Sequence, residues 1–338
     1  MRAMLLTEAN QIDQNPLRLT NIPDPEPGPD QVRLKVHVCA LCHTDLHVIE
    51  GDLPAHQRPV VPGHQIVGVI DKIGPQVTRW QIGDRVGVPW LYHTDGTCRY
   101  CRKNQENVCL HGQFTGYDAN GGYAEYAVVS QDFTYAIPAA FSDVQAAPLL
   151  CAGVIGYRAL RLSGAKAGDK LGMWGFGASA HITIQVAHHS GIEIYVATRS
   201  KAHQDLALQL GAKWAGASLD QANLAEPLDS AIIFAPAGGL VLDALKAIDK
   251  GGTVALAGIY MSPIPAMDYS LIYGERVLRS VANSTRQDVE ELLKIAAEIP
   301  VKTTVQTFKL EELNHALQLL KHSQIDGAGV IQVSDAQS

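Results

Sequence analysis

The chain has 338 residues, 46% of them hydrophobic, and a formal net charge of -7 from 27 basic and 34 acidic side chains. That length can bury a sizeable core and predicts two domains rather than one. The basic residues are scattered and no apolar run reaches the roughly 18 residues of a membrane span, which argues against nucleic acid or membrane partners and for a small-molecule substrate.

The opening residues, MRAMLLTEANQ, lack the apolar stretch of a secretory signal, so the cytoplasm is the expected compartment. From Gln31 to Val38, Val32, Leu34, Val36 and Val38 alternate with Arg33, Lys35 and His37, the period of a half-buried strand. VGVIDKIG (67–74), DRVGV (84–88) and GYAEYAVV (122–129) follow, separated by Gly, Pro and Asp turns. The first 150 residues are therefore expected to be mostly β with few helices.

From about Lys170 the rhythm changes. The apolar runs KLGMW, EIYVA, KWAG, DSAIIFA, GGTVALAG and RVLRSVA alternate with the helix-length segments ASAHITIQVAHHS, KAHQDLALQLG and LVLDALKAID. This is the pattern of a doubly wound parallel sheet, whose crossovers pack helices on both faces. Beyond Asn283 the spacing predicts a helix over 287–297, a strand over 303–308, a helix over 310–321 and a strand over 328–333. These are too few elements for a third domain and are expected to complete the first.

After KLGMW comes Gly175-Phe176-Gly177-Ala178-Ser179-Ala180, a GxGxxA loop opening a helix. The first glycine permits a tight turn, the second lets backbone approach a pyrophosphate, and the small Ala180 permits close helix packing. A glycine-rich turn can be only a turn, but its place after the first of six strands favours a dinucleotide. The second strand ends in Thr198-Arg199-Ser200 rather than in the carboxylate that accepts from the ribose of NAD. Arg199 can pair with a 2'-phosphate, flanked by two hydroxyls, which favours NADP(H); the alternative is NAD(H), with Arg199 a solvated charge.

Six cysteines, at 39, 42, 98, 101, 109 and 151, in a chain without an export signal are read as thiols or metal ligands rather than disulfides. Cys42 opens the run CHTDLH, His64 lies in PGHQ, and Cys151 lies in LLCAG. The run HTDGTCRYCRKNQENVC (93–109) gathers Cys98, Cys101 and Cys109 with Asp95. Taken singly, each is as well explained by core packing or, for Asp95, by a turn cap.

CHTDLH, PGH, the run 95–109, GGYAEY, LLCAG and GFGASA stand in an order and spacing that resemble the zinc-dependent alcohol dehydrogenases of the medium-chain dehydrogenase/reductase superfamily, over essentially the whole chain. The resemblance implies an α/β chain with a GroES-like, mostly β catalytic domain from residues 1–151 and 285–338. A Rossmann domain with a doubly wound parallel sheet would occupy 152–284, and the active site would lie in the cleft. It implies a catalytic zinc on Cys42, His64 and Cys151 with the fourth position open, and Asp45 as the carboxylate that orients the histidine. Thr44 and His47 fall on the family's proton relay, His43 on its pyrophosphate contact, and Leu53 and Trp90 on its substrate pocket. Trp90 would narrow that pocket and Leu53, where some relatives carry Trp, would widen it.

In the lobe the family pattern is C-x2-C-x2-C-x7-C, and Asp95 stands at the first cysteine. A carboxylate is a legitimate zinc ligand, so an Asp95, Cys98, Cys101, Cys109 site with weaker retention is expected, giving two zinc ions per chain. Cys39 is left as a packing residue. Gln65 replaces the family's usual Glu, and Ile155 its frequent Thr beside the nicotinamide. The implied activity is interconversion of small primary alcohols and aldehydes by hydride transfer. The implied assembly is a homo-oligomer, dimer or tetramer, formed through the Rossmann sheet by the strand at 253–259 and the residues Tyr260 to Pro263. Two rivals remain: a zinc-free quinone or enone reductase of the same fold, and a non-catalytic protein that binds zinc and a dinucleotide.

Overall fold

Period-two alternation between Gln31 and Val38 becomes the longest strand of the first sheet. The computed structural model describes residues 1–219, 224–299 and 301–334. The strand Gln31–Ala40 buries Val32, Leu34 and Val36 completely and pairs antiparallel with Ile66–Ile73 and with Tyr126–Ser130. The sheet runs Val305–Lys309, Ala328–Gln332, Gln31–Ala40, Ile66–Ile73, Arg85–Val88, Tyr135–Ala136. The last strands of the chain thus join the first strands, with Val330 facing Ala40 in antiparallel register. GYAEYAVV enters the sheet only from Tyr126, because the residues before it are held by other segments: Gly121 N–H donates to Val61 and Tyr123 N–H to Pro62.

By its contacts the chain divides into two units. One comprises Met1–Cys151, Ser284–Ala297 and the segment from Lys302 onward; the other comprises Ala152–Asn283 with Glu298–Val301. The second holds a six-stranded sheet in the order Trp214–Gly216, Glu193–Ala197, Lys170–Trp174, Leu228–Ile233, Ile248–Leu256, Val277–Ser280, with every neighbouring pair parallel. Lys170–Trp174 lies centrally, where the strand order reverses, which is where such sheets bind ligands. Ile248–Leu256 is paired on both sides, so the strand expected at 253–259 is interior, and Val277–Ser280 and Trp214–Gly216 are the edges.

Several elements depart from the sequence pattern. A hairpin of Arg2–Leu6 and Leu17–Asn21 precedes the first expected strand, and Leu91–His93 pairs with Gln113–Phe114. A helix spans Ala152–Ser163, buries Val154, Tyr157, Ala159 and Leu160, and follows directly on a 3-10 turn. Gly156 lets this helix approach Ala178–His189, since a Cβ there would stand 1.9 Å from the Thr183 hydroxyl.

Candidate active site and metal centres

Cys42 ends the extended strand region and caps the helix His43–Glu50. Its sulfur accepts from the Thr44 N–H while Asp45 Oδ2 accepts the Cys42 N–H at 2.8 Å. The sequence CHTD is thus a capping box in which the cap is a thiol, and a helix N-terminus favours its thiolate. His64 follows Gly63, whose φ of +99° is open to glycine; a Cβ there would meet Cys39 Sγ at 2.9 Å and the Tyr123 ring at 3.0 Å.

His64 is wholly buried, and its Nδ1 bonds Asp45 Oδ1 at 2.9 Å. Burial alone would depress its pKa, but the Asp45 carboxylate overrides burial and the imidazole is pushed up to about 10. Among the described residues its buried Nε2 has no partner in good hydrogen-bond geometry, and the nearby Cys42 sulfur interacts with the ring and helps raise its pKa. Cys42 Sγ and Cys151 Sγ lie 3.9 Å apart, and the ligand atoms of Cys42, His64 and Cys151 all fall within 4.8 Å of one another. Donation from the Cys151 thiol holds the Cys42 pKa down, and the same contact raises that of Cys151. An orphaned imidazole nitrogen facing a thiol pair is a donor set that zinc fits, with two sulfurs, one nitrogen and room for a fourth ligand.

The sequence did not mark the partners of these residues. Tyr123 donates to Asp45 Oδ2 at 2.8 Å, and Asp52 Oδ2 lies 2.8 Å from His47 Nδ1. Tyr123 stands inside the motif GGYAEY and Asp52 in the run GDLP (51–54), but nothing in either names the partner. Gln65 Nε2 donates to the Leu41 carbonyl at 3.0 Å, a bond a carboxylate could not make. Trp90 is buried, sets its ring edge-on to His64 at 4.8 Å between centroids, and stacks on Phe114 at 5.1 Å. Thr44 is buried beside Cys42, with its hydroxyl 3.6 Å from the sulfur, whereas His43 is exposed. Leu53 packs against the first unit's core.

The lobe converges as well. Asp95, Cys98, Cys101 and Cys109 bring their ligand atoms within 4.8 Å of one another, and the sulfur of Cys98 lies 3.6 Å from Cys101 and 3.8 Å from Cys109. Asp95 Oδ1 accepts from the Cys98 and Thr97 N–H groups, so the residue caps the turn with one oxygen while the other remains for a ligand. Those two N–H groups hold its carboxyl well below the usual range. Hydrogen bonds from nearby backbone, Cys101 first, bring Cys98 down to about 7, while desolvation takes Cys101 up to about 12. The buried Glu106 ties the lobe to the helix Arg286–Glu298 by accepting the Arg286 N–H at 2.9 Å.

In the second unit the GxGxxA loop has the form its sequence implies. Gly175 turns the chain at φ +92°, and a Cβ on it would meet Ala235 N at 3.0 Å. Gly177 precedes the helix Ala178–His189, and nothing lies within 4 Å of where its Cβ would be, which leaves the helix N-terminus open to a phosphate. Ala180 is wholly buried. Ser179 carries no cap bond but its carbonyl accepts from Thr183 at 2.7 Å. After the second strand Thr198 is buried, Arg199 is exposed, and Ser200 caps the helix Lys201–Gln209.

Residues 28–139 match the model of the alcohol dehydrogenase GroES-like domain, and residues 180–298 that of the zinc-binding dehydrogenases. A probable alcohol dehydrogenase of Mycobacterium tuberculosis is 43% identical over 98% of this chain and 97% of its own. An alcohol dehydrogenase of Geobacillus stearothermophilus is 36% identical over 95% of this chain and 97% of its own. Among solved structures, a cinnamyl alcohol dehydrogenase from Sorghum bicolor superposes with a TM-score of 0.89 at 29% identity, covering 99% of this chain and 98% of that one. The chain belongs to the zinc-type alcohol dehydrogenases of the medium-chain dehydrogenase/reductase superfamily, with its GroES-like and Rossmann folds.

Proposed function

We propose that the protein is a zinc-dependent alcohol dehydrogenase that interconverts small primary alcohols and aldehydes, using NADP(H) in preference to NAD(H). The observation that supports the zinc reading is the convergence, within 4.8 Å of one another, of the buried His64 imidazole, backed by Asp45, with the Cys42 and Cys151 sulfurs. Zinc bound by these three residues would act as a Lewis acid on the substrate oxygen while the nicotinamide takes or gives the hydride. Asp45 orients the imidazole and fixes its proton on Nδ1. Thr44 presents a buried hydroxyl beside Cys42 as the first stage of a proton relay. His47, whose Nδ1 is held by Asp52, ends the relay. Trp90, stacked on Phe114 and edge-on to His64, forms an aromatic wall that limits substrate breadth near the reacting carbon.

On the cofactor side, the loop Gly175, Gly177, Ala178, Ser179 and Ala180 receives the pyrophosphate, and His43 is carried over from the family as its pyrophosphate contact. Thr198, Arg199 and Ser200 receive the 2'-phosphate. The exposed Arg199 makes no ion pair among the described residues, which leaves its guanidinium for a phosphate. Asp95, Cys98, Cys101 and Cys109 hold a second, structural zinc. The exposed Val277 on an edge strand of the sheet, with the exposed Tyr269 and Tyr273 shortly before it in the chain, supports a homo-oligomer, and the cytoplasm is the proposed compartment.

The test is elemental mass spectrometry of protein purified without chelator, paired with turnover of a panel of primary alcohols and aldehydes, aromatic ones included. Zinc at about two per chain, with activity lost on its removal and regained on its return, is the expected outcome. Activity that persists without zinc favours a quinone or enone reductase. NADPH binding without turnover of any substrate favours a binding protein.

A further inference from the structure

We propose that Tyr123 is a positioning residue for the Cys42, His64, Cys151 centre, acting through Asp45; the inference rests on reading that centre as a zinc site. Asp45 is a carboxylate that touches two of the three ligands. Its Oδ1 bonds the His64 ring at 2.9 Å, and its Oδ2 accepts the Cys42 N–H at 2.8 Å. Those two contacts alone leave the carboxylate free to rock about the line joining them. Tyr123 supplies a third, from a segment distant in the chain: its hydroxyl donates to Oδ2 at 2.8 Å, with the Ala40 carbonyl 3.3 Å away as its other neighbour.

Tyr123 and Asp45 are both buried, so water does not compete for this bond. Burial also pushes the phenol well above its ordinary pKa, so it stays a donor across the working pH range. The consequence is geometric. With the carboxylate plane pinned, the His64 ring keeps its Nδ1 proton and points Nε2 at the sulfurs. Phenylalanine would fill the same space against Gly63 and leave Oδ2 with a single N–H donor. The hydroxyl is therefore separable from the ring's packing.

The experiment compares wild type with Tyr123→Phe by following zinc release to a chelator, with lobe zinc in the same sample as reference. Cys151→Ser, which keeps only the lobe ion, assigns the two phases. Release from the centre is expected to be about tenfold faster in Tyr123→Phe, with the lobe phase and the melting temperature little changed. A merely structural role would shift the melting temperature and leave the ratio of the phases alone, and would overturn the inference. So would equal release rates from the two proteins. Wild type that retains no zinc at the centre overturns the zinc reading and this inference together. As a second measurement, Tyr123→Phe added to Asp45→Asn is expected to accelerate release no further, because the hydroxyl acts only through that carboxylate; independent acceleration counts against it.

Discussion

At the residue scale, the site divides into groups whose type the sequence announces and groups whose meaning lies in a partner. Arg199 is of the first kind. Its exposed guanidinium can pair with a 2'-phosphate, a charged hydrogen bond worth about 2 kcal/mol, or a change of roughly 30-fold. Arg199→Ala is therefore expected to raise the KM for NADPH by about that factor and leave NADH kinetics nearly unchanged. Steady-state assays with both cofactors decide it, and equal effects on the two would point to NAD(H). Tyr123 and Asp52 are of the second kind. The motifs GGYAEY and GDLP were visible, but hydrogen bonds from residue 123 to 45 and from 52 to 47 depend on tertiary packing that no local spacing encodes. Gln65 is intermediate: the sequence marks it as a departure, and only its bond to the Leu41 carbonyl supplies the reason.

At the scale of elements, the strands and helices of the parallel sheet were legible because burial on both faces leaves continuous apolar runs with glycine between them. The helix Ala152–Ser163 was not, since it opens with AGVIG, which reads equally well as a loop or a buried strand. The lobe illustrates a further limit, because three cysteines and an aspartate predict a cluster only if the backbone folds back between residues 95 and 109. Asp95→Ala is expected to reduce zinc from about two per chain to about one and to speed amide exchange across 95–109, with zinc at the other centre retained. Unchanged zinc content would mean that water or another group completes that site. Close to the segment carrying Cys151, Asp143 bridges two strands, with His37 Nδ1 at 2.7 Å and Arg85 Nε at 2.6 Å. Burial raises the Asp143 pKa, but His37 and Arg85 outweigh it and leave the carboxyl below its ordinary value. A pKa lowered on folding stabilises fully above the unfolded value of about 4 and is lost as pH falls through the folded one. Asp143→Ala should thus cost about 2 kcal/mol at neutral pH, between the values of surface and buried pairs, and progressively less below pH ~4. Chemical denaturation at the two pH values measures it.

At the scale of the whole molecule, the sheet of the second unit leaves Val277–Ser280 at an open edge, with Val277 and Tyr273 exposed nearby. An open edge offers unpaired backbone groups to another strand, and a second copy of the chain is one way to cover it. In the homo-oligomer proposed above, Val277→Lys is expected to shift the assembly to a smaller species in sedimentation velocity while leaving the monomer's circular dichroism unchanged. An unaltered sedimentation coefficient would place the interface elsewhere. A different consequence follows from the pairing of Ala328–Gln332 with Gln31–Ala40. The ribosome makes the second of these strands roughly three hundred residues before the first, so the catalytic sheet waits, one edge bare, until nearly the whole chain has emerged. The parallel sheet between them is built from nearer neighbours in sequence and can form first. Synthesis therefore makes every strand of the parallel sheet before the last two strands of the first sheet, so the first sheet is expected to close after the parallel one.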